Sequence, residues 1–143
     1  MKHSLRATSV AILALMLCVA TVQAKASTAA VPLNTGQEAS VVNGGAQGSF
    51  EYTIDGSTLC YTLTWKGLSA PAVAAHIHEA PRGVAGPVVI PLTVTATTTG
   101  SYSACISADP GLLADIAANP EDYYVNVHTS TYPGGEIRGQ LKQ

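Results

Sequence analysis

The sequence predicts an all-β fold, an antiparallel Greek-key sandwich or barrel that contains one short helix. Short segments alternate between apolar and polar residues with a period of two, and turn residues separate most of them. Threonine and valine are abundant in these segments, and a single segment has helical spacing instead. Many strands with one helix favour a sandwich or barrel over an α/β fold, and 143 residues suffice for one domain.

Seven segments have the alternation of a strand. Residues 50–54 and 59–65 flank the pair Asp55-Gly56, which is a hairpin turn signal, so we expect these two strands to pair. Five further strands are predicted at residues 73–79, 87–92, 98–106, 123–129 and 136–141. We therefore expect about seven or eight strands in total.

The predicted helix lies within residues 107–119. Asp109 can cap its first turn, and Pro110 suits the first helical position. Apolar residues recur at helical spacing at Leu112, Leu113 and Ile116. Pro120 ends the segment, so one short helix interrupts the strands.

Residues 1–24 have the organisation of a secretory signal peptide. Residues 1–6 are cationic, residues 10–19 are apolar, and residues 22–24 offer small residues at a cleavage site. The apolar run is shorter than the roughly 20 residues that span a bilayer, although an uncleaved anchor is the alternative. We divide the chain into a signal peptide at 1–24 and one domain at 25–143, and expect a periplasmic or secreted protein with no membrane contact after cleavage.

The charge balance excludes several classes of partner and reaction. With seven lysines and arginines and a net charge of −2, the chain has no basic stripe for a phosphate backbone, so we expect no nucleic-acid partner. The sequence has neither a Gly-x-Ser-x-Gly elbow nor a glycine-rich loop ahead of the predicted helix, and its nine acidic residues form no obvious catalytic pair. Hydrolase and nucleotide chemistry are therefore disfavoured.

Cleavage after Ala24 would leave two cysteines, Cys60 and Cys105, in a compartment where disulfides persist. Alternation places the apolar side chains of strand 59–65 on one face and Cys60 on the other, and Cys105 has the same position in strand 98–106. The two cysteines could therefore meet between neighbouring strands in a disulfide. Two free thiols are the alternative.

Three histidines, His76, His78 and His128, are the candidate metal ligands. Residues two apart in a strand share a face at a spacing of about 7 Å, so His76 and His78 point the same way while Ala75 and Ile77 point the other way. His128 lies on the polar phase of its own strand. If the two strands are neighbours, or face each other at one end of a sandwich, the three imidazoles converge.

Three neutral imidazoles suit Cu(II) or Zn(II) and do not suit Ca(II) or Mg(II). We expect copper as the cofactor, with zinc as the second choice. Glu79 and Glu136 are either partners that orient an imidazole or solvated ends of strands. The alternative to a metal site is three ordinary histidines on polar strand faces, because a His-x-His pair is a weak signal on its own.

Two segments of the chain carry a family resemblance. The first segment contains Ala75-His76-Ile77-His78, Ala80-Pro81 and Gly86-Pro87-Val88-Val89. The second segment contains Tyr124-Val125-Asn126-Val127-His128-Thr129 and Tyr132-Pro133-Gly134-Gly135-Glu136-Ile137-Arg138-Gly139-Gln140-Leu141. With an opening around residues 33–38, these motifs resemble a CHRD domain, named for chordin, over essentially the whole chain after the signal peptide. The resemblance implies a single exported domain of the bacterial type.

A more distant resemblance carries a sharper chemical expectation. Residues 76–79 are similar to the HVHE strand motif of copper/zinc superoxide dismutases, which are Greek-key barrels with an immunoglobulin-like topology. It implies that the two histidines of this motif and His128 bind copper, and that Arg138 is the counterpart of an arginine that guides an anion to copper. A solvated arginine or a pair with Glu136 is the alternative for Arg138. No further histidine follows residue 24 to bridge two metals, so a binuclear enzyme is excluded.

Three functions from different classes remain. The first is an exported module that binds one copper or zinc ion. The second is an extracellular or periplasmic domain for protein interaction or structure, without metal, as the resemblance to chordin implies. The third is a copper-only enzyme like superoxide dismutase, in which Arg138 is the catalytic candidate. We expect binding rather than catalysis.

Overall fold

The computed structural model describes residues 30–142, which form an antiparallel β-fold with one α-helix. The strands, in chain order, are β1 Val31–Asn34, β2 Gln47–Asp55, β3 Thr58–Lys66, β4 Ala72–Glu79, β5 Val88–Leu92, β6 Gly100–Ser107, β7 Tyr123–Thr129 and β8 Ile137–Gln140. The helix α1 is Pro110–Ala118, and short 3-10 turns occupy Thr35–Gln37 and Pro120–Asp122. The predicted signal peptide at residues 1–24 lies outside the described residues. Within residues 30–142, no helix combines the length and apolarity needed to cross a bilayer.

All eight strands belong to one sheet, in the order β5-β4-β7-β8-β1-β2-β3-β6, and every neighbouring pair is antiparallel. One apolar face of each strand lines or packs against a single core cluster, so the sheet curls around its own interior as a half-barrel. The prediction of an antiparallel all-β sandwich or barrel with one short helix is confirmed. The seven predicted strands correspond to β2–β8, with small differences at their ends.

β1 is the one strand that the alternation of apolar and polar residues does not predict. It has four residues and contains Pro32, which cannot donate a backbone hydrogen bond and so weakens a strand signal. In the sheet, β1 pairs with β2 through Val31 and Phe50 and with β8 through Asn34 and Arg138. β1 therefore joins the β2-β3-β6 half of the sheet to the β5-β4-β7-β8 half.

The helix α1 contributes Leu113 and Ile116 to the core, and both are fully buried. Its start follows the sequence closely, because the Asp109 carboxylate accepts the Leu112 N–H at 2.8 Å and Pro110 occupies the first turn. The predicted helix and its cap are confirmed.

Cys60 and Cys105 form a disulfide between β3 and β6. They are directly paired in the sheet register, next to the pair Thr62 and Ser103. Both cysteines lie on the face opposite the buried core residues of these strands, as the alternation predicts. The predicted disulfide is confirmed, and it attaches the edge strand β6 to the sheet.

The outer face of the sheet, which does not line the core, is buried at β7. Every residue of β7 is buried, so loops must cover the face that does not line the core. The outward side chains of β7 are Tyr124, Asn126 and His128. The Gly86 N–H donates to the Tyr124 hydroxyl at 3.2 Å, and the His128 ring lies 2.9 Å from the Pro133 carbonyl. Residues 80–87 and 130–136 are therefore two of the covering segments.

Glu38, which follows the first 3-10 turn, lies next to the same covered face. A Cβ on Gly135 would lie 2.5 Å from Glu38 Oε1 and 2.6 Å from Asn126 Nδ2, so the Glu38 carboxyl sits against the β7–β8 turn. Glu38 Oε1 is buried without a hydrogen-bond partner among residues 30–142. Burial raises the pKa of Glu38 from 4.5 to about 7, although the positive charge of Arg138 opposes the shift.

Removing the disulfide should destabilise the fold, because the unfolded chain gains conformational freedom when the cross-link is absent. Replacing both Cys60 and Cys105 by alanine frees a loop closed across 45 residues, and we expect a loss of about 2 to 4 kcal/mol in the free energy of unfolding. The matched control is Thr62→Ala with Ser103→Ala, which removes one cross-strand hydrogen bond of 2.8 Å on the same two strands. Urea unfolding should show a clearly smaller loss for the control, and equal losses would contradict the prediction.

Replacing Glu38 by glutamine should stabilise the protein at high pH only. A carboxyl whose folded pKa lies above its unfolded value binds protons more readily in the folded state, so the fold loses stability as the pH rises from 4.5 to about 7. E38Q removes that loss, and we expect a gain of about 1 to 2 kcal/mol at about pH 8.5 that vanishes near about pH 4. Urea unfolding at both pH values measures it, with the exposed Glu51→Gln as control. A pH-independent effect of E38Q would contradict the prediction.

Candidate metal centre

Two neighbouring strands carry the three candidate ligands. His76 and His78 lie on β4 and His128 lies on β7, and these strands are hydrogen-bonded neighbours. Ala75 and Ile77, which alternate with the β4 histidines, are fully buried in the core. The prediction that His76 and His78 share one outward face is therefore confirmed, and the strand order brings that face beside His128.

The three imidazoles converge into one cluster. Their ring centroids are 4.8 Å apart for His76 and His128, 5.4 Å for His76 and His78, and 5.9 Å for His78 and His128. One nitrogen from each ring can be chosen so that the three lie within 4.8 Å of one another. Nitrogen atoms at this separation can bind one ion after small side-chain rotations, because metal–imidazole bonds are about 2 Å long.

Backbone carbonyls fix the tautomers of two of the rings. His78 Nδ1 lies 2.9 Å from the Gly86 carbonyl oxygen, and His128 Nδ1 lies 2.9 Å from the Pro133 carbonyl oxygen. A carbonyl can only accept, so each Nδ1 carries the hydrogen and each Nε2 presents a lone pair. Histidines that bind metals commonly donate their other N–H to such an acceptor.

The lone pairs of the two oriented rings differ in what they contact. His78 Nε2 is buried and has no hydrogen-bond partner among the described residues. His128 Nε2 lies 3.0 Å from His76 Nδ1, so His76 donates to His128 within the cluster. His76 is the one partly exposed ring of the three, and it therefore forms the solvent side of the cluster.

Burial favours the neutral form of two rings in this cluster, His76 and His128. Burial lowers the pKa of His76, and the neighbouring His78 lowers it further. Burial also lowers the pKa of His128, where the other two imidazoles act in the same direction and the Pro133 carbonyl opposes them. A neutral imidazole is the form that binds a metal, so the environment favours the ligand state near neutral pH.

Each of the two loops whose backbone approaches the cluster contains one position that requires glycine. A Cβ on Gly86 would collide with the Glu79 carbonyl, so a larger residue would displace the carbonyl that His78 contacts. Gly135 has a φ of 123°, and a Cβ there would collide with Glu38 and Asn126. The Gly135 N–H donates to the Tyr132 carbonyl at 3.1 Å, which closes the turn that carries Pro133.

The two carboxylates considered as partners of the imidazoles lie elsewhere. Glu79 is exposed, which agrees with a solvated strand end. Glu136 is buried, and its carboxylate accepts the Ser69 N–H at 2.7 Å, the Ser69 hydroxyl at 2.8 Å and the Thr129 hydroxyl at 2.6 Å. Glu136 therefore connects the β3–β4 loop to the end of β7, and is neither solvated nor bonded to an imidazole.

Arg138 lies on β8, next to β7, and is 1% exposed. Its guanidinium donates to the carbonyls of Val84 at 2.7 Å and Pro81 at 3.0 Å, and to the Gln140 side chain at 3.0 Å. It also lies 3.3 Å from the centre of the Tyr124 ring. Arg138 is therefore neither solvated nor paired with Glu136, and the contacts it makes are structural.

Sequence reasoning missed the groups that orient the rings. The acceptors for His78 and His128 are backbone carbonyls, which carry no signature in the residue at that position. Tyr124 was also missed, although its ring stacks on His78 with centroids 4.8 Å apart and planes 6° from parallel. The signal that could have identified Tyr124 is the register of β4 with β7, because Tyr124 is the direct cross-strand partner of His78.

The CHRD domain family model matches residues 29–141 of the chain. No curated protein and no solved structure matches the chain. The match covers all eight strands, the helix and the histidine cluster. The resemblance predicted from the motifs around His76 and His128 is confirmed, and the chain belongs to the CHRD domain family.

Proposed function

We propose that this CHRD domain is an exported module that binds a single copper ion through His76, His78 and His128, with zinc as the weaker competitor. The observation that carries the proposal is the buried His78 Nε2, an unpartnered lone pair within a cluster of three imidazoles. An orphaned acceptor in a protein interior is unfavourable unless a ligand or proton satisfies it. A metal ion would satisfy it together with the other two rings.

The donor set determines which metals fit. Three neutral nitrogen ligands suit Cu(II) and Zn(II), and Cu(II) binds such sites more tightly than Zn(II) in the general order of affinities. Binding would replace the hydrogen that His76 shares with His128, which lies on a 3.0 Å contact. Three protein ligands leave a coordination position for water or a small ligand on the partly exposed His76 side.

Three observations support an exported location, periplasmic or extracellular. The chain belongs to the CHRD family, its two domain cysteines form a disulfide, and residues 1–24 have the pattern of a signal peptide. An exported domain meets metal ions outside the cytoplasm, where a resident imidazole site can capture or hold them.

A role as an extracellular or periplasmic interaction domain is the second candidate, and family membership favours it. In that case the histidine cluster is a hydrogen-bonded element that stabilises the covered face of β7. Dismutase-like catalysis at copper is a third hypothesis. The buried contacts of Arg138 with Pro81, Val84 and Gln140 favour a structural role for that residue.

Calorimetric titration of Cu(II) and Zn(II) into the metal-stripped domain tests the proposal. We expect one equivalent to bind, with copper tighter than zinc. His76→Ala, His78→Ala and His128→Ala should each weaken copper binding by more than about 100-fold, since each removes a direct ligand.

The matched control is Glu79→Gln, which changes an exposed neighbour of His78 on the same strand. It should bind copper like the wild type, and thermal unfolding should show that all variants are folded. No binding by the wild type, or binding that survives the histidine substitutions, would contradict the metal site and favour the interaction domain.

A further inference from the structure

The loop of residues 80–87 is held over the outer face by side chains of β8. Arg138 donates to the carbonyls of Pro81 and Val84, and Gln140 donates to the carbonyl of Ala80 at 2.8 Å. The Gln140 side-chain oxygen in turn accepts from Arg138. Two neighbouring polar side chains of β8 therefore satisfy three carbonyls of one loop.

Arg138 also reaches the cluster through stacked rings. Its guanidinium lies over Tyr124, and Tyr124 stacks on His78. Because β7 lies between β4 and β8, the Tyr124 ring lies between Arg138 and His78. The Tyr124 hydroxyl accepts the Gly86 N–H, which belongs to the loop that Arg138 holds.

Both sets of contacts, those of the loop and those of the stacked rings, lead to the His78 ring. The Tyr124 hydroxyl accepts the Gly86 N–H, Arg138 and Gln140 hold the loop that contains Gly86, and the Gly86 carbonyl contacts His78 Nδ1. The stacked Tyr124 ring fixes the plane of the His78 ring. We propose that Arg138 and Tyr124 are positioning residues, which hold His78 in one orientation with hydrogen on Nδ1 and the lone pair on Nε2.

The chemistry of the side chain explains why an arginine occupies this position. Burying a cation is costly, and the acceptors that Arg138 contacts are neutral oxygens rather than a carboxylate. A planar guanidinium can donate to several oxygens in its plane while its flat face lies on an aromatic ring, whereas a lysine ammonium is compact and has no flat face. Position 138 therefore requires both the several N–H donors and the flat face of a guanidinium.

The consequence for metal binding rests on the proposed function. A His78 ring that rotated, or that moved its hydrogen to Nε2, would present an N–H instead of a lone pair to the other two imidazoles. Loss of an outer contact that orients a ligand typically weakens metal binding by about 10- to 100-fold. The positioning itself exists in the metal-free protein, so it can be tested without metal.

The test reads the His78 tautomer in the metal-free, nitrogen-15-labelled domain. Long-range proton–nitrogen spectra at about pH 8, where imidazoles are neutral, identify the ring nitrogen that carries the hydrogen. The wild type should show His78 with hydrogen on Nδ1. Arg138→Lys, which keeps the charge, and Tyr124→Phe, which keeps the ring and loses the hydroxyl, should each show a mixture of tautomers.

The matched control is Arg82→Gln, since Arg82 lies exposed on the same loop. It should keep the wild-type tautomer. Folded Tyr124→Phe protein, or folded Arg138→Lys protein, that keeps hydrogen only on Nδ1 would overturn the proposal. The same variants are then titrated with Cu(II), and about 10- to 100-fold weaker binding with an altered copper spin-resonance spectrum is expected.

The two proposals fail in different ways. If the wild type binds no copper while the tautomers shift as expected, the metal function is wrong and the positioning stands. If the wild type binds copper while the variants keep the tautomer and the spectrum, the positioning is wrong and the metal function stands.

Discussion

The antiparallel pairing of β4 with β7 is the contact on which the rest of the site depends. Its register sets Ala74 opposite His128 and His76 opposite Asn126, so His128 faces the two β4 histidines from the next strand. The same alternation that turns Ala75 and Ile77 into the core turns the imidazoles outward. A slip of β4 by one residue would turn His76 and His78 into the core, away from His128, and the three imidazoles would no longer meet.

The second constraint is that the outward face of β7 is polar and yet buried. Loops cover this face, and the backbone groups of the loops need hydrogen-bond partners, which side chains of β4, β7 and β8 supply. Arg138 and Tyr124 satisfy backbone groups of residues 80–87, while His78 and His128 satisfy the carbonyls of Gly86 and Pro133. The same set of hydrogen bonds therefore holds the loops over this face and orients the imidazoles.

Much of this arrangement was predictable from local pattern. Period-two alternation predicts the strands from β2 to β8 and the faces of His76 and Cys60, while helical spacing and the Asp109 cap predict the helix, because each depends on neighbouring residues alone. The short strand β1 was missed because Pro32 interrupts its pattern. The burial of Glu38, Glu136 and Arg138 was also missed, since it follows from loops that fold back over the sheet and from no periodicity in the chain.

Anomalous diffraction from crystals of the copper-loaded domain, collected at the copper absorption edge, would locate the bound metal directly. We expect one peak about 2 Å from a ring nitrogen of each of His76, His78 and His128, with His78 and His128 bound through Nε2. We also expect the Gly86 and Pro133 carbonyls still to contact the Nδ1 atoms of those two rings. A peak at another position, or a hydrogen bond between His76 and His128 that persists with no copper between the rings, would contradict the metal site.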